Sequence, residues 1–165
     1  MKKNVFGFTL IELIIAVTVV MVLTGVGAMS LNNFNDIKEL ESIRAEVSNH
    51  IKLAKNLALT KQLPDNTEIG NLEYVRVTFL NNEITIEGVN NIGVIFSDSP
   101  YSKMKINAKS GVNITSANFG FLKSTGRLTD SSGIETSVAI VVSLSRGTNT
   151  RTININNLGI ISYGN

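Results

Sequence analysis

The chain has 165 residues, 43% of them hydrophobic and 17% charged, with a formal net charge of +2, one histidine and no cysteine. That length suits one domain with a proper core rather than two. The missing cysteines exclude a disulfide scaffold, a thiolate metal site and a cysteine nucleophile, and His50 alone is too little for a zinc site or a histidine-based catalytic centre. No catalytic residue, metal or cofactor is expected, and the chain reads as non-enzymatic.

The amino terminus begins MKKNVFG, a short polar leader with Lys2 and Lys3, and Phe8 to Leu31 is then apolar apart from Glu12 and a few small or hydroxyl residues. As a helix at about 1.5 Å per residue this stretch measures about 36 Å, enough to span a hydrocarbon core of roughly 30 Å. The lysines place the leader in the cytoplasm and send the remaining chain across the membrane. A secretory signal carries its small-residue cleavage site after the apolar stretch. Here the candidate processing residue, Gly7, precedes it, so cleavage keeps the helix on the mature chain. Glu12 demands a partner, because a carboxylate within a membrane helix costs about 2.5–3.5 kcal/mol; the alternative is a shallow position among headgroups. Gly25 and Gly27 either soften the helix or permit a close helix contact.

The segment GFTLIE, Gly7 to Glu12, followed by the apolar run, resembles the signal of type IV prepilins and pseudopilins. The resemblance implies cleavage after Gly7 by a prepilin peptidase and N-methylation of the new Phe8 amine. It also implies pairing of that amine with Glu12 of a neighbouring subunit in a filament, and contact with an inner-membrane assembly platform. The expected organisation is a leader over 1–7, a transmembrane and assembly helix over 8–31, and an extracytoplasmic domain over 32–165.

Apolar residues recur at Ile37, Leu40, Ile43, Val47, Ile51, Ala54, Leu57 and Ala58, spacings of three and four that predict an amphipathic helix closed by Pro64. A nearly continuous helix over 9–61 follows, with His50 beside the stripe. Beyond Pro64 the period changes to two. Tyr74–Leu80 and Glu83–Val89, joined by Asn81-Asn82, predict a hairpin. Further strands are expected over Ile92–Ser97, Lys103–Asn107, Val112–Ser116, Asn118–Leu122, Ser137–Leu144, Arg151–Ile155 and Gly159–Tyr163, with turns at Gly126, Gly133 and Gly147. The fold class is α+β, a long amino-terminal helix on an antiparallel sheet system. IKLAKNLALTKQ, Ile51 to Gln62, and RTININNLGII, Arg151 to Ile161, resemble the helix end and closing strand pair of the GspH/FimT minor pseudopilins and minor pilins, with Lys55 where Arg is usual.

Charge is uneven. Residues 32–100 hold six Lys/Arg against ten Asp/Glu, and residues 101–165 hold seven against two. The expected function is a structural filament subunit of a pilus or secretion system. The alternative is DNA capture by the basic half through Lys123, Arg127, Arg146 and Arg151, and a tethered monomer is the third reading. Ser124-Thr125-Gly126-Arg127 lacks the spacing of a phosphate loop and reads as a hairpin turn. Glu83 and Glu87 read as solvated strand positions.

Overall fold

Helix α1 runs Leu10–Thr60 in the computed structural model, which describes residues 9–61, 72–80, 82–93, 95, 104–106 and 111–164, without the side chains of 26–30 and 104. The chain divides into two compact units, Met1–Ile37 and Lys38–Asn165. In the first, the described side chains of α1 from Leu10 to Thr24 are exposed and, apart from Glu12, Thr18 and Thr24, apolar on every side, Leu10, Ile11 and Leu23 among them. A helix apolar all round is stable only in an apolar surrounding. Thr18 and Thr24 donate their hydroxyls back to the carbonyls of Ile14 and Val20, which satisfies these two polar groups without any outside partner.

In the second unit the expected stripe is the buried face of α1. Leu40, Val47, Ile51, Ala54 and Ala58 are fully buried, and Ile43 and Leu57 nearly so, whereas Ile37 is half-buried. Each fully buried Leu, Ile or Val contributes about 1.5–3 kcal/mol. Lys61, just past the helix, adopts φ 55°, the left-handed conformation that commonly terminates helices. Ser124 N–H donates to the free Ala58 carbonyl over 3.0 Å. Pro64, the expected terminator, lies outside the described residues.

The stripe faces antiparallel strands in two sheets. Sheet A has the order β3-β2-β1-β5-β6, and sheet B the order β4-β7-β8-β9. The strands are β1 Leu72–Leu80, β2 Glu83–Asn90, β3 Met104–Lys105, β4 Asn113–Ile114, β5 Ala117–Leu122, β6 Leu128–Thr129, β7 Ile140–Arg146, β8 Asn149–Ile155 and β9 Ile161–Gly164. Val75, Val77 and Phe79 of β1 and Ile84 and Ile86 of β2 point into the core, as their alternation predicts. Phe119 joins them, stacked on Phe79 at 6.1 Å and edge-on to Phe121 at 5.9 Å between ring centres.

The β1–β2 turn depends on Asn82, which has φ 60°. Its amide donates to the Val112 carbonyl over 2.7 Å, and its side-chain oxygen accepts from Ile114 N–H over 3.3 Å. One asparagine therefore serves both as turn residue and as tie between the sheets. Gly126, Gly133 and Gly147 all have positive φ and lie in turns, as expected.

Two strand expectations need correction, and one strand was not expected. Ile92 and Gly93 lie in a turn, and Ile95 makes only an isolated bridge to Val89; residues 94, 96 and 97 lie outside the described set, as do Lys103 and Asn107. Ser137 and Val138 precede β7, because Thr136 N–H bonds to Leu128 O and its hydroxyl accepts from Val138 N–H, turning the chain toward sheet A first. Strand β6 was not expected, since two residues carry no readable period.

Candidate functional site

Gly7 and Phe8, the expected processing residues, lie outside the described residues. The next two turns are described. Thr9 stands immediately before α1, and its backbone N–H and hydroxyl both reach Glu12 Oε2, at 3.4 and 3.5 Å. Glu12 N–H in return donates to Thr9 Oγ1 over 3.4 Å. This is the reciprocal Thr-x-x-Glu arrangement that closes a helix amino terminus. The Glu12 carboxylate is thus turned toward the start of the helix, where the helix dipole favours negative charge. Among the described residues no helix is long and apolar enough to cross a membrane.

A second polar constellation joins α1 to sheet B. Glu39 pairs with Arg146, and Glu41 pairs with both Arg44 and Arg151, the latter over 2.7 Å. Arg44 also donates to the Gly164 carbonyl over 3.2 Å and lies over the Tyr163 ring at 5.1 Å. The Tyr163 hydroxyl is 2.7 Å from that of buried Ser48 and accepts from Lys52 over 3.4 Å. The Arg151 hydrogen bond, with Arg44 beside it, holds the Glu41 carboxyl below its ordinary range. The Ser48 hydrogen bond, reinforced by Lys52 and Arg44, lowers the Tyr163 phenol likewise. These groups clamp edge strand β9 to the helix.

A third arrangement lies at the far end of the same helix face. Lys55 Nζ donates to the carbonyls of Gly159 over 2.8 Å and Leu158 over 3.2 Å. Gly126 and Gly159 are packed so closely that a Cβ on Gly159 would strike the Gly126 carbonyl, and one on Gly126 would come within 2.9 Å of Lys55 Cε. Lys55 and the late glycine of the closing strand pair, the two features singled out in the sequence, are thus brought into contact.

The four expected DNA-contacting residues do not form one face. Lys123 pairs with Glu73 over 3.0 Å and Arg127 with Glu135, near the Ala58 end of the helix. Arg146 and Arg151 pair with Glu39 and Glu41, about 25 Å away along the helix by its rise per residue. All four cations are matched by carboxylates. Arg76 and Glu87, opposite each other on β1 and β2, form a further half-buried pair at 3.0 Å, so Glu87 is not merely solvated. Sequence reasoning missed the polar roles of Arg44, Ser48 and Tyr163; the place of Ser48 within the apolar stripe was the available signal. Among the described residues no cluster of three His, Asp or Glu is placed to hold a metal.

Comparison with known proteins bears on the amino terminus. Residues 2–28 match the family model described as the prokaryotic N-terminal methylation motif. No curated protein and no solved structure matches the chain. The chain carries, over residues 2–28, the N-terminal methylation motif that is the prepilin signal of type IV pilin-like proteins.

Proposed function

We propose that this protein is a non-enzymatic minor pilin or pseudopilin of the GspH/FimT type, inserted in the bacterial inner membrane through residues 8–31 with its amino terminus cytoplasmic. The observation that carries the reading is the methylation motif at residues 2–28, which takes in the start of α1, whose first turn is capped by Thr9 and Glu12. A prepilin peptidase hydrolyses the Gly7–Phe8 bond, and the glycine, without a side chain, gives the enzyme access beside the membrane surface. The freed Phe8 amine is then methylated and keeps its positive charge.

The processed helix starts with a cation and carries a carboxylate one turn later. In an apolar surrounding each of these charges needs the other, because leaving either alone costs several kcal/mol. Pairing of the Phe8 amine with Glu12 of an adjacent subunit links neighbours in register and selects processed chains, since a leader on residue 8 removes the cation. The exposed apolar surface of α1 is covered by other pilins or pseudopilins, and the assembly platform supplies the subunits. The second unit folds around its own core, so the filament displays it without taxing its stability.

DNA capture would need Lys123, Arg127, Arg146 and Arg151 to leave carboxylates for phosphates, and no observation favours that exchange. The filament reading is tested by comparing the sheared filament fraction with the membrane fraction for wild type and Glu12→Ala. The variant should insert and fold but be absent from filaments. Equal incorporation would refute the pairing role of Glu12.

A further inference from the structure

We infer that edge strand β9, with Lys52 of α1 beside it, takes up an extended acidic segment of a partner protein as an added strand of sheet B. Strand β9 ends that sheet and pairs on one side only, with β8. Asn156 N–H bonds to the Ile160 carbonyl, so the antiparallel alternation turns the backbone groups of Ser162 and Gly164 toward β8 and those of Ile161 and Tyr163 away from it. No group among the described residues bonds to the N–H or carbonyl of Ile161 or Tyr163. These are donors and acceptors in the spacing of a strand edge, and the group they match is another extended backbone.

The edge is held in place before any partner arrives. Arg44 donates to the Gly164 carbonyl, Lys55 donates to the carbonyls of Leu158 and Gly159, and Ser48 and Lys52 hold the Tyr163 hydroxyl. These contacts all spare the outward backbone groups of Ile161 and Tyr163. A strand fixed in this way loses little freedom on binding. Exposed edges are ordinarily blunted by charge, proline or a bulge. Strand β9 has no charged residue and no proline, and its pairing with β8 runs without a register shift.

Charge specifies the partner. Residues opposite each other in paired strands share a face, so an added strand sets its residues opposite Ile161 and Tyr163 on the side of α1, the side to which Tyr163 itself points. Arg44, Ser48, Lys52 and Lys55 succeed one another along that face of the helix. Arg44 is matched by Glu41, whereas Lys52 and Lys55 have no carboxylate partner among the described residues. Lys52 is exposed, with its ammonium 3.4 Å from the Tyr163 hydroxyl. Carboxylates at alternate positions of the added strand meet that ammonium. A second copy paired through β9 would instead bring two Lys52 side chains to one face of the joined sheet. The inference does not depend on how the amino terminus is processed.

The test is the fluorescence anisotropy of a labelled, end-blocked octapeptide of alternating Glu and Thr, titrated with the full chain in neutral detergent micelles. Binding is expected, about tenfold tighter than that of a Lys-Thr octapeptide and weakened severalfold between low and molar salt. Methylating the backbone nitrogens of the Glu residues, which face β9 in this register, should weaken it by about tenfold. Lys52→Gln should weaken it by about fivefold. Ile161→Pro, which removes an outward N–H and leaves the bonds to β8, should do so by a similar factor. Circular dichroism checks the fold of each variant, and Lys52→Gln with the methylated peptide carries the test if Ile161→Pro does not fold. Absence of binding overturns the proposal, as does equal binding of the Lys-Thr peptide. So does binding that backbone methylation or Lys52→Gln leaves unchanged. A wild-type dimer in sedimentation that Ile161→Pro dissociates would assign the edge to a second copy of the chain and equally overturn it.

Discussion

Replacing Gly159 with alanine tests the joint between the helix end and the two turns that grip it. Gly159 has φ +68°, and the new Cβ would collide with the Gly126 carbonyl and lie 3.2 Å from Lys55 Cε and Nζ. The left-handed backbone costs a side chain about 1–2 kcal/mol, and forcing a methyl group against packed backbone adds about 1–3 kcal/mol. Gly147 is the matched control, with φ +57° and nothing within 4 Å of its Cβ position, so Gly147→Ala should lose only the backbone share. For a unit of this size each kcal/mol lowers Tm by roughly 3–5 °C. Thermal unfolding of the full chain in detergent, followed by circular dichroism, should therefore show a fall of roughly 3–10 °C for Gly147→Ala and a larger one, roughly 6–25 °C, for Gly159→Ala. Equal falls in the two variants would show that Lys55, Gly126 and Gly159 are not tightly packed and would refute the reasoning.

Glu41 provides a pH signature. Its carboxyl sits below its ordinary value of 4.5 in the folded chain, so the stability it contributes is present above that value and is lost as pH falls through the lower folded one. Arg151→Gln should remove part of that acid dependence and modestly reduce stability near neutral pH, because the pair is half-buried and still partly screened by solvent; an unchanged acid limb of the stability–pH profile would count against the clamp. For DNA, the ion pairs predict little binding of double-stranded fragments by the full chain even at low salt. Tight, steeply salt-dependent binding that Arg127→Gln, Arg146→Gln and Arg151→Gln together abolish would restore the DNA reading.

The sequence was most legible where one physical requirement dominates. The α1 stripe could be read residue by residue from Leu40 to Ala58, since a buried helix face leaves no other choice of apolar spacing. The β1–β2 hairpin was equally clear from Val75, Val77, Phe79 and the asparagine turn. Strand β6 and the late start of β7 were not legible, because they depend on bonds such as Thr136 N–H to Leu128 O that join distant positions. The charge asymmetry was seen, but its meaning was not. The acidic helix and the basic strands neutralise each other through Glu39–Arg146 and Glu41–Arg151, a long-range pairing that no local period announces. Glu12 stood out as an uncompensated carboxylate, yet its reciprocal bonds with Thr9 needed the helix start to be placed to the residue.

The central claim is that the chain is processed at Gly7 and methylated at Phe8. Intact-mass and amino-terminal peptide analysis of the protein recovered from membranes of cells expressing a prepilin peptidase tests it most directly. The expected mature chain starts at Phe8 with one methyl group on its amine, and Gly7→Val should leave the leader attached. Recovery of wild-type protein still beginning at Met1, or of a mature chain beginning beyond Leu31, would contradict the account.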